Sequence, residues 1–133
     1  MTEDQKLKAI VRCFDMWLSA RDNNCFIGPY LQKLNVKVVG IYGYGRLGKH
    51  LLNELEDSGV EIRWIMDKRD RSGQIDYCCL IPDDKEIPLD LDMIINTALG
   101  SIEEVEKKFI DLGFNKVVSI EEILEGTRYQ KMS

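Results

Sequence analysis

Residues 36 to 55, VKVVGIYGYGRLGKHLLNEL, pass from a β-rich run through three glycines into a leucine-rich stretch. No other segment constrains the fold as tightly. Val36 to Tyr42 has the composition of a strand buried on both faces of a parallel sheet. Leu47, Leu51, Leu52 and Leu55 then recur at helical spacing, and Ser58-Gly59 supplies a stop. A strand that turns on glycine into a helix is half of a β–α–β unit, and the rest of the chain keeps alternating. Glu61 to Asp67 (EIRWIMD), Met93 to Thr97 (MIINT) and Lys116 to Ile120 (KVVSI) read as strands. Ser101-Ile-Glu-Glu104 and Ser119-Ile-Glu-Glu122 carry the capping-box pattern that opens a helix. The first of these helices is expected to reach Leu112 and stop at Gly113; the second is short, with Gly126 beyond it. The class is α/β: an open, mostly parallel five-stranded sheet in the order 3-2-1-4-5.

Two stretches fall outside that alternation. Leu7, Ile10, Val11, Phe14, Trp17 and Leu18 predict one amphipathic helix over residues 4 to 20, closed by Asp22-Asn23-Asn24. A short second helix follows from Pro29 to Leu34, because proline suits a first helical turn. Residues 1–35 are therefore an N-terminal helical extension, 36–126 the sheet domain, and 127–133 a loosely held tail. In the middle, only Lys68 to Asp76 separate the second strand from YCCLI (Tyr77 to Ile81), too few for the usual crossover helix. The third strand should be short, irregular or displaced.

Composition excludes several classes. At 133 residues the chain suits one domain, and its 44% hydrophobic and 31% charged shares are those of a globular protein. A net charge of −5 opposes nucleic acid as a partner. No apolar run approaches the roughly 20 residues of a membrane span, and MTEDQKLKAI lacks signal-peptide character, so a cytoplasmic protein without membrane insertion is expected. Cys13, Cys25, Cys78 and Cys79 form no Cys-x-x-Cys pair, and His50 is the one histidine, which leaves a zinc site without ligands. Reduced, partly buried thiols are the plain reading.

Gly43, Gly45 and Gly48 have the spacing that cradles a dinucleotide, between a strand and a helix, with Asp67 about 20 residues beyond to hold a ribose hydroxyl. Gly43 would allow the tight turn, Gly45 the approach of backbone to a pyrophosphate, and Gly48 close helix–strand packing. Free N–H groups at Arg46, Leu47 and Gly48 would face the phosphates at the positive end of the helix, with Tyr44 beside them. The same glycines could instead shape a loop that binds nothing. Arg46 could reach a phosphate oxygen or stand in solvent. In Asp67-Lys68-Arg69-Asp70-Arg71, Asp67 favours an unphosphorylated ribose while Lys68 and Arg69 could accept a 2′-phosphate; a solvated charged loop is the alternative for Arg69 and Arg71. Thr97 ends the fourth strand beside the crevice, as a ligand contact or as a hydroxyl completing a turn.

No catalytic constellation is visible. None of Tyr42, Tyr44 and Tyr77 is followed four residues later by lysine, His50 reads as solvent-facing, and no Gly-x-x-x-x-Gly-Lys-Ser/Thr occurs. Asp83-Asp84 and the Asp90/Asp92 pair read as turn chemistry. Stand-alone turnover is not expected; the alternative is an oxidoreductase or epimerase-like subunit whose site a second subunit or dimer partner completes.

The segment VVGIYGYGRLGKHLLNELEDSGVEIRWIMDK resembles the NAD(P)-binding Rossmann domains of nucleoside-diphosphate-sugar epimerase and dehydratase-like proteins. The similarity extends over about residues 30 to 125, through the NKVVSIEEIL ending, to small Rossmann-like domains that accompany surface-polysaccharide enzymes. It implies NAD or NADP, or a nucleotide-sugar, held by Gly43, Gly45, Gly48 and Asp67, in an accessory or sensory role in carbohydrate metabolism. The catalytic tyrosine and lysine of true epimerases have no counterpart. GYGRLG is also similar to the nucleotide-sensing domains that regulate potassium channels, whose Gly-Asp-Ala-Thr stretch is missing here. Trp17, Phe14 and Leu18 would be exposed unless their helix folds back, so a homodimer or a partner enzyme docking on that helix is expected.

Overall fold

The structure is a computed structural model, and it describes residues 1–129. In chain order the elements are α1 (Glu3–Asp22), α2 (Ile27–Lys33), β1 (Val38–Tyr42), α3 (Arg46–Leu55), β2 (Glu61–Met66), β3 (Cys79–Leu80), β4 (Met93–Asn96), a 3-10 turn at Leu99–Ser101, α4 (Ile102–Asp111), β5 (Val117–Ser119) and α5 (Ile120–Arg128). All the strand pairs are parallel, and the order is β3-β2-β1-β4-β5. This is the Rossmann-like sheet that the alternation predicted, with helices added at the N-terminus.

The period of two along the strands divides the core into two layers. Val39, Ile41, Ile65, Met93 and Ile95 face α1, α2, α3 and α5, while Tyr42, Trp64, Met66 and Ile94 face α4 through Val105 and Phe109. Gly40 belongs to the second layer: a Cβ there would lie 2.8 Å from the Trp64 ring, so the indole fills the space that a side chain would take. Trp64 also stacks on Phe109 at 5.9 Å and donates its Nε1–H to Pro88 O at 2.7 Å. That bond draws in the connection from β3 to β4, which like the one from β2 to β3 carries no helix. Leu80, Ile87, Leu89 and Leu91 cover the sheet there, so the segment does the burying a helix would do; β3 itself is two residues long, as the short interval before it led one to expect.

Four sequence expectations change. Ser119 caps α5, accepting from Glu122 N at 3.2 Å, but Ser101 makes no cap bond. The chain enters α4 through the 3-10 turn, so Ser101 is already wound and its hydroxyl is not set over open N–H groups. Gly126 lies inside α5, not beyond it: the Tyr30 ring occupies the place where a Cβ would stand, which explains a glycine in a helix interior. The helix runs on to Arg128 with Thr127 buried, so residues 127 and 128 are not loose tail; positions 130–133 lie outside the described residues.

The fourth change concerns α1. It folds back on the same core, burying Ala9, Cys13, Met16, Trp17 and Ala20 along one face. Burial of a side chain as large as Trp17 or Met16 contributes on the order of 1.5–3 kcal/mol. Glu54 of α3, its side chain 6% exposed, fixes the arrangement. It accepts from Trp17 Nε1 at 2.8 Å, from Arg21 Nε at 2.9 Å and from the backbone N–H of Ile27 at 2.8 Å. Trp17 is thus 3% exposed and supplies no docking surface; Leu7, Val11 and Leu18 remain on the outer face. Among the described residues no helix is long and apolar enough to cross a membrane.

Candidate functional site

The carboxyl edge of the sheet, where β1 and β4 end side by side, is the switch point of the strand order. The chain leaves β1 through Gly43, whose φ of +96° is left-handed and whose N–H donates to Met66 O at 2.7 Å. Thr97, just past β4, closes on this turn. Its N–H donates to Tyr42 O at 2.8 Å, and its hydroxyl oxygen lies 2.8 Å from Tyr42 O and 3.1 Å from Gly43 O. A Cβ on Gly48 would collide with the Gly43 carbonyl. Gly43 and Gly48 are therefore required by the protein's own packing.

Gly45 is different. It stands at the N-cap of α3 with extended backbone (φ −85°, ψ −152°), and a Cβ built there meets nothing within 4 Å. No side chain caps α3. In front of this helix end is a cavity of about 330 Å³, near the lower end for small-molecule sites. Gly43, Gly45, Arg46 and Leu47 form its base, Asp67 its β2 side, and Thr97, Ala98 and Leu99 its β4 side. Lys6 and Ile10 of α1 complete the wall.

The side chains named from sequence divide. Asp67 reaches the cavity with both oxygens engaged: Oδ1 accepts from Tyr44 N at 3.3 Å and Oδ2 from Arg71 Nε at 2.8 Å. Arg71, one alternative for which was a solvated loop, is paired and half-buried, and its guanidinium lies over the Tyr44 ring at 5.5 Å. Lys49 approaches the same ring at 5.6 Å. The Tyr44 ring thus serves the rim, while its N–H orients Asp67. Lys68 lines a separate cleft with Tyr42, because one step along an extended chain turns a side chain to the other face. Thr97 borders the cavity, but its hydroxyl is used in the turn. His50 is exposed, with its ring edge against Phe14 at 5.3 Å.

Lys6 and Ile10 were not among the sequence candidates, and Arg71 was weighed only as part of a charged stretch, with no partner named. Lys6 and Ile10 sit on a helix far upstream, and nothing in their spacing announces the packing of α1 beside the 3-10 turn. Arg71 could have been found from its distance to Asp67, four residues on, within reach of a carboxylate in a turn.

No family model and no curated protein matches the chain. Among solved structures, the chain is similar to the crystal structure of a chorismate mutase/shikimate 5-dehydrogenase fusion protein from Clostridium acetobutylicum, at 18% identity and a TM-score of 0.47. The match covers 80% of this chain and 51% of the other, so the chain spans about half the length of that protein.

Proposed function

We propose that the cavity at the carboxyl edge binds a nucleotide through its phosphates, with NAD or NADP as first candidates and a nucleotide-sugar as the alternative. Gly45 carries this reading. Its neighbours Gly43 and Gly48 have reasons within the protein, whereas Gly45 borders open space at an uncapped helix N-terminus, where backbone N–H groups and the helix dipole favour an anion. Phosphate would lie against the N–H groups of Arg46, Leu47 and Gly48, with the Arg46 and Lys6 cations at the margin. Asp67, held by Tyr44 N and Arg71, would receive the ribose, and Arg71 beside it is the group able to meet a 2′-phosphate. In this reading Lys68 has no part in the site, and Thr97 contributes shape, not a contact.

The setting we propose is the one the sequence resemblance implies: an accessory or sensory domain in carbohydrate or surface-polysaccharide metabolism, without turnover of its own. A second reading, an interaction module with an unused nucleotide loop, draws on the outward Leu7, Val11 and Leu18 of α1. Thermal unfolding with NAD⁺, NADH, NADP⁺, NADPH and a panel of nucleotide-sugars separates the two. A ligand at a hundred times its dissociation constant stabilises by about 2.7 kcal/mol, which raises Tm by several degrees in a domain of this size. A selective rise supports nucleotide binding; unmoved curves with every ligand refute it and favour the interaction module.

A further inference from the structure

The helix α1 carries apolar residues on two sides. Its inner face seals the core, while Leu7, Val11 and Leu18 stand on the outer face at 59%, 63% and 60% exposure, with half-buried Phe14 beside them. Positions 4, 7, 11, 14, 18 and 21 alternate steps of three and four, which is the seam of a coiled coil, and Asp4 and Arg21 close its two ends. Beside the C-terminal half of the seam is a small apolar pocket of about 160 Å³. Phe14, Leu18 and Arg21 of α1 and His50 of α3 form its walls, with the buried Trp17 at its base.

A knob at one end of the seam and a pocket at the other specify the occupant. A two-fold axis crossing α1 midway between Val11 and Phe14 sets a second α1 antiparallel to the first. Val11 then lies opposite Phe14 of the second copy and Leu7 opposite Leu18, so each Leu7 meets the pocket of the other chain, as a self-complementary interface requires. The charges agree with this direction. Glu3 and Asp4 occupy the first turn of α1 and Arg21 its last, so the acidic end of each copy meets Arg21 of the other, and the helix dipoles oppose. Arg21 is held by Glu54 with its side chain 43% exposed, and its five N–H donors exceed what Glu54 accepts. Exposed Lys8 comes opposite exposed Asp15. Asp22 is the exception, a like charge near Asp4 of the second copy, at the exposed rim where salt screens it. A parallel pair would set Asp4 against Asp4 and Asp15 against Asp15, and would bring no Leu7 to either pocket. We infer that the outer face of α1 is the interface of a homodimer, packed antiparallel on α1 of a second copy of this chain. Lys6 and Ile10, which wall the cavity before Gly45, lie off this seam, so the inference stands whether or not that cavity takes a nucleotide.

The test is sedimentation equilibrium of the purified chain between about 1 and 200 µM, a range chosen because one helix pair is a small interface with a dissociation constant on the order of 10 µM. The mean mass should move from that of the monomer toward twice that value. Leu7→Glu, at an exposed position, should weaken the dimer about tenfold while the dilute monomer melts as before. Lys8→Asp and Asp15→Lys should each weaken it severalfold, and the two changes together should restore it, because only the antiparallel pairing sets one against the other. A monomer at every concentration, a dimer indifferent to Leu7→Glu, or a double variant no tighter than the single ones would each overturn the inference.

Discussion

The three glycines of the loop should come apart under substitution, and the structure sets the sizes. At Gly45 an added methyl meets nothing within 4 Å and the backbone is extended, so Gly45→Ala should alter stability by no more than about 1 kcal/mol. Alanine's restriction of the unfolded chain and its poorer preference for the N-cap position oppose each other, so the net change should be small. At Gly48 the methyl overlaps the Gly43 carbonyl, which lies beside the Thr97 hydroxyl and cannot retreat without opening the turn. Overpacking of that kind costs about 1–3 kcal/mol, and loss of the turn's hydrogen bonding adds to it. Tm should fall by roughly 10 °C for Gly48→Ala and stay within a few degrees for Gly45→Ala. The same scans run with the stabilising nucleotide give the functional half. Gly45→Val places branched methyl groups where phosphate would lie and should remove the ligand-induced rise while the free protein melts normally. If Gly45→Ala unfolds the domain, the claim that this glycine has no internal role is wrong. If Gly45→Val keeps the full rise, the ligand binds elsewhere.

Three further outcomes follow from named contacts. Glu54→Ala strands the Trp17 and Ile27 donors and should cost about 3 kcal/mol in urea unfolding, with fluorescence reporting Trp17 as it loosens. Lys6→Ala should leave urea unfolding unchanged within about 0.5 kcal/mol yet weaken a phosphorylated ligand about fivefold by calorimetry, the worth of one partly solvated ion pair. Burial raises the Cys13 thiol from 9.0 to about 11, so the folded state keeps a proton that the unfolded chain releases, and stability should fall as pH rises from about 9 to 11. Cys13→Ser should flatten that slope in thermal scans, and a thiol reagent at neutral pH should label exposed Cys78 well before buried Cys13 and Cys25.

What could be read from the sequence was whatever depends on neighbours along the chain. Strand runs, the glycine spacing, the Ser119 cap and the short interval before β3 all express local geometry, and each reappears in the fold. What could not be read depends on contacts between distant segments. Gly126 looks like a helix stop until Tyr30, nearly a hundred residues earlier, is placed against it. Ser101-Ile-Glu-Glu104 has the letters of a capping box, yet the preceding turn denies it the geometry. Trp17 reads as a sticky surface until Glu54 arrives from α3 to accept its N–H. At the site the division is the same: Gly43 and Gly48 were legible as a turn and the Asp67–Arg71 pair lay within reach of its four-residue spacing, while the presence of Lys6 was not legible.

That last point changes what α1 is. From sequence, a helix preceding the first strand is an addition to the fold, either a cap on the sheet or a dimer surface. In the structure Arg12 pairs with Glu121 of α5, Arg21 and Trp17 meet Glu54 of α3, and Lys6 and Ile10 wall the cavity in front of Gly45. The face of α1 that seals the core and the residues that close the cavity lie on one rigid element. A ligand touching Lys6 would therefore be felt by the packing of Cys13 and Trp17, two and three turns further along, and weakening the Glu54 junction would loosen the cavity wall as well as the core. Under the proposed nucleotide reading, stability and binding would be coupled through this helix, because one amphipathic element serves both.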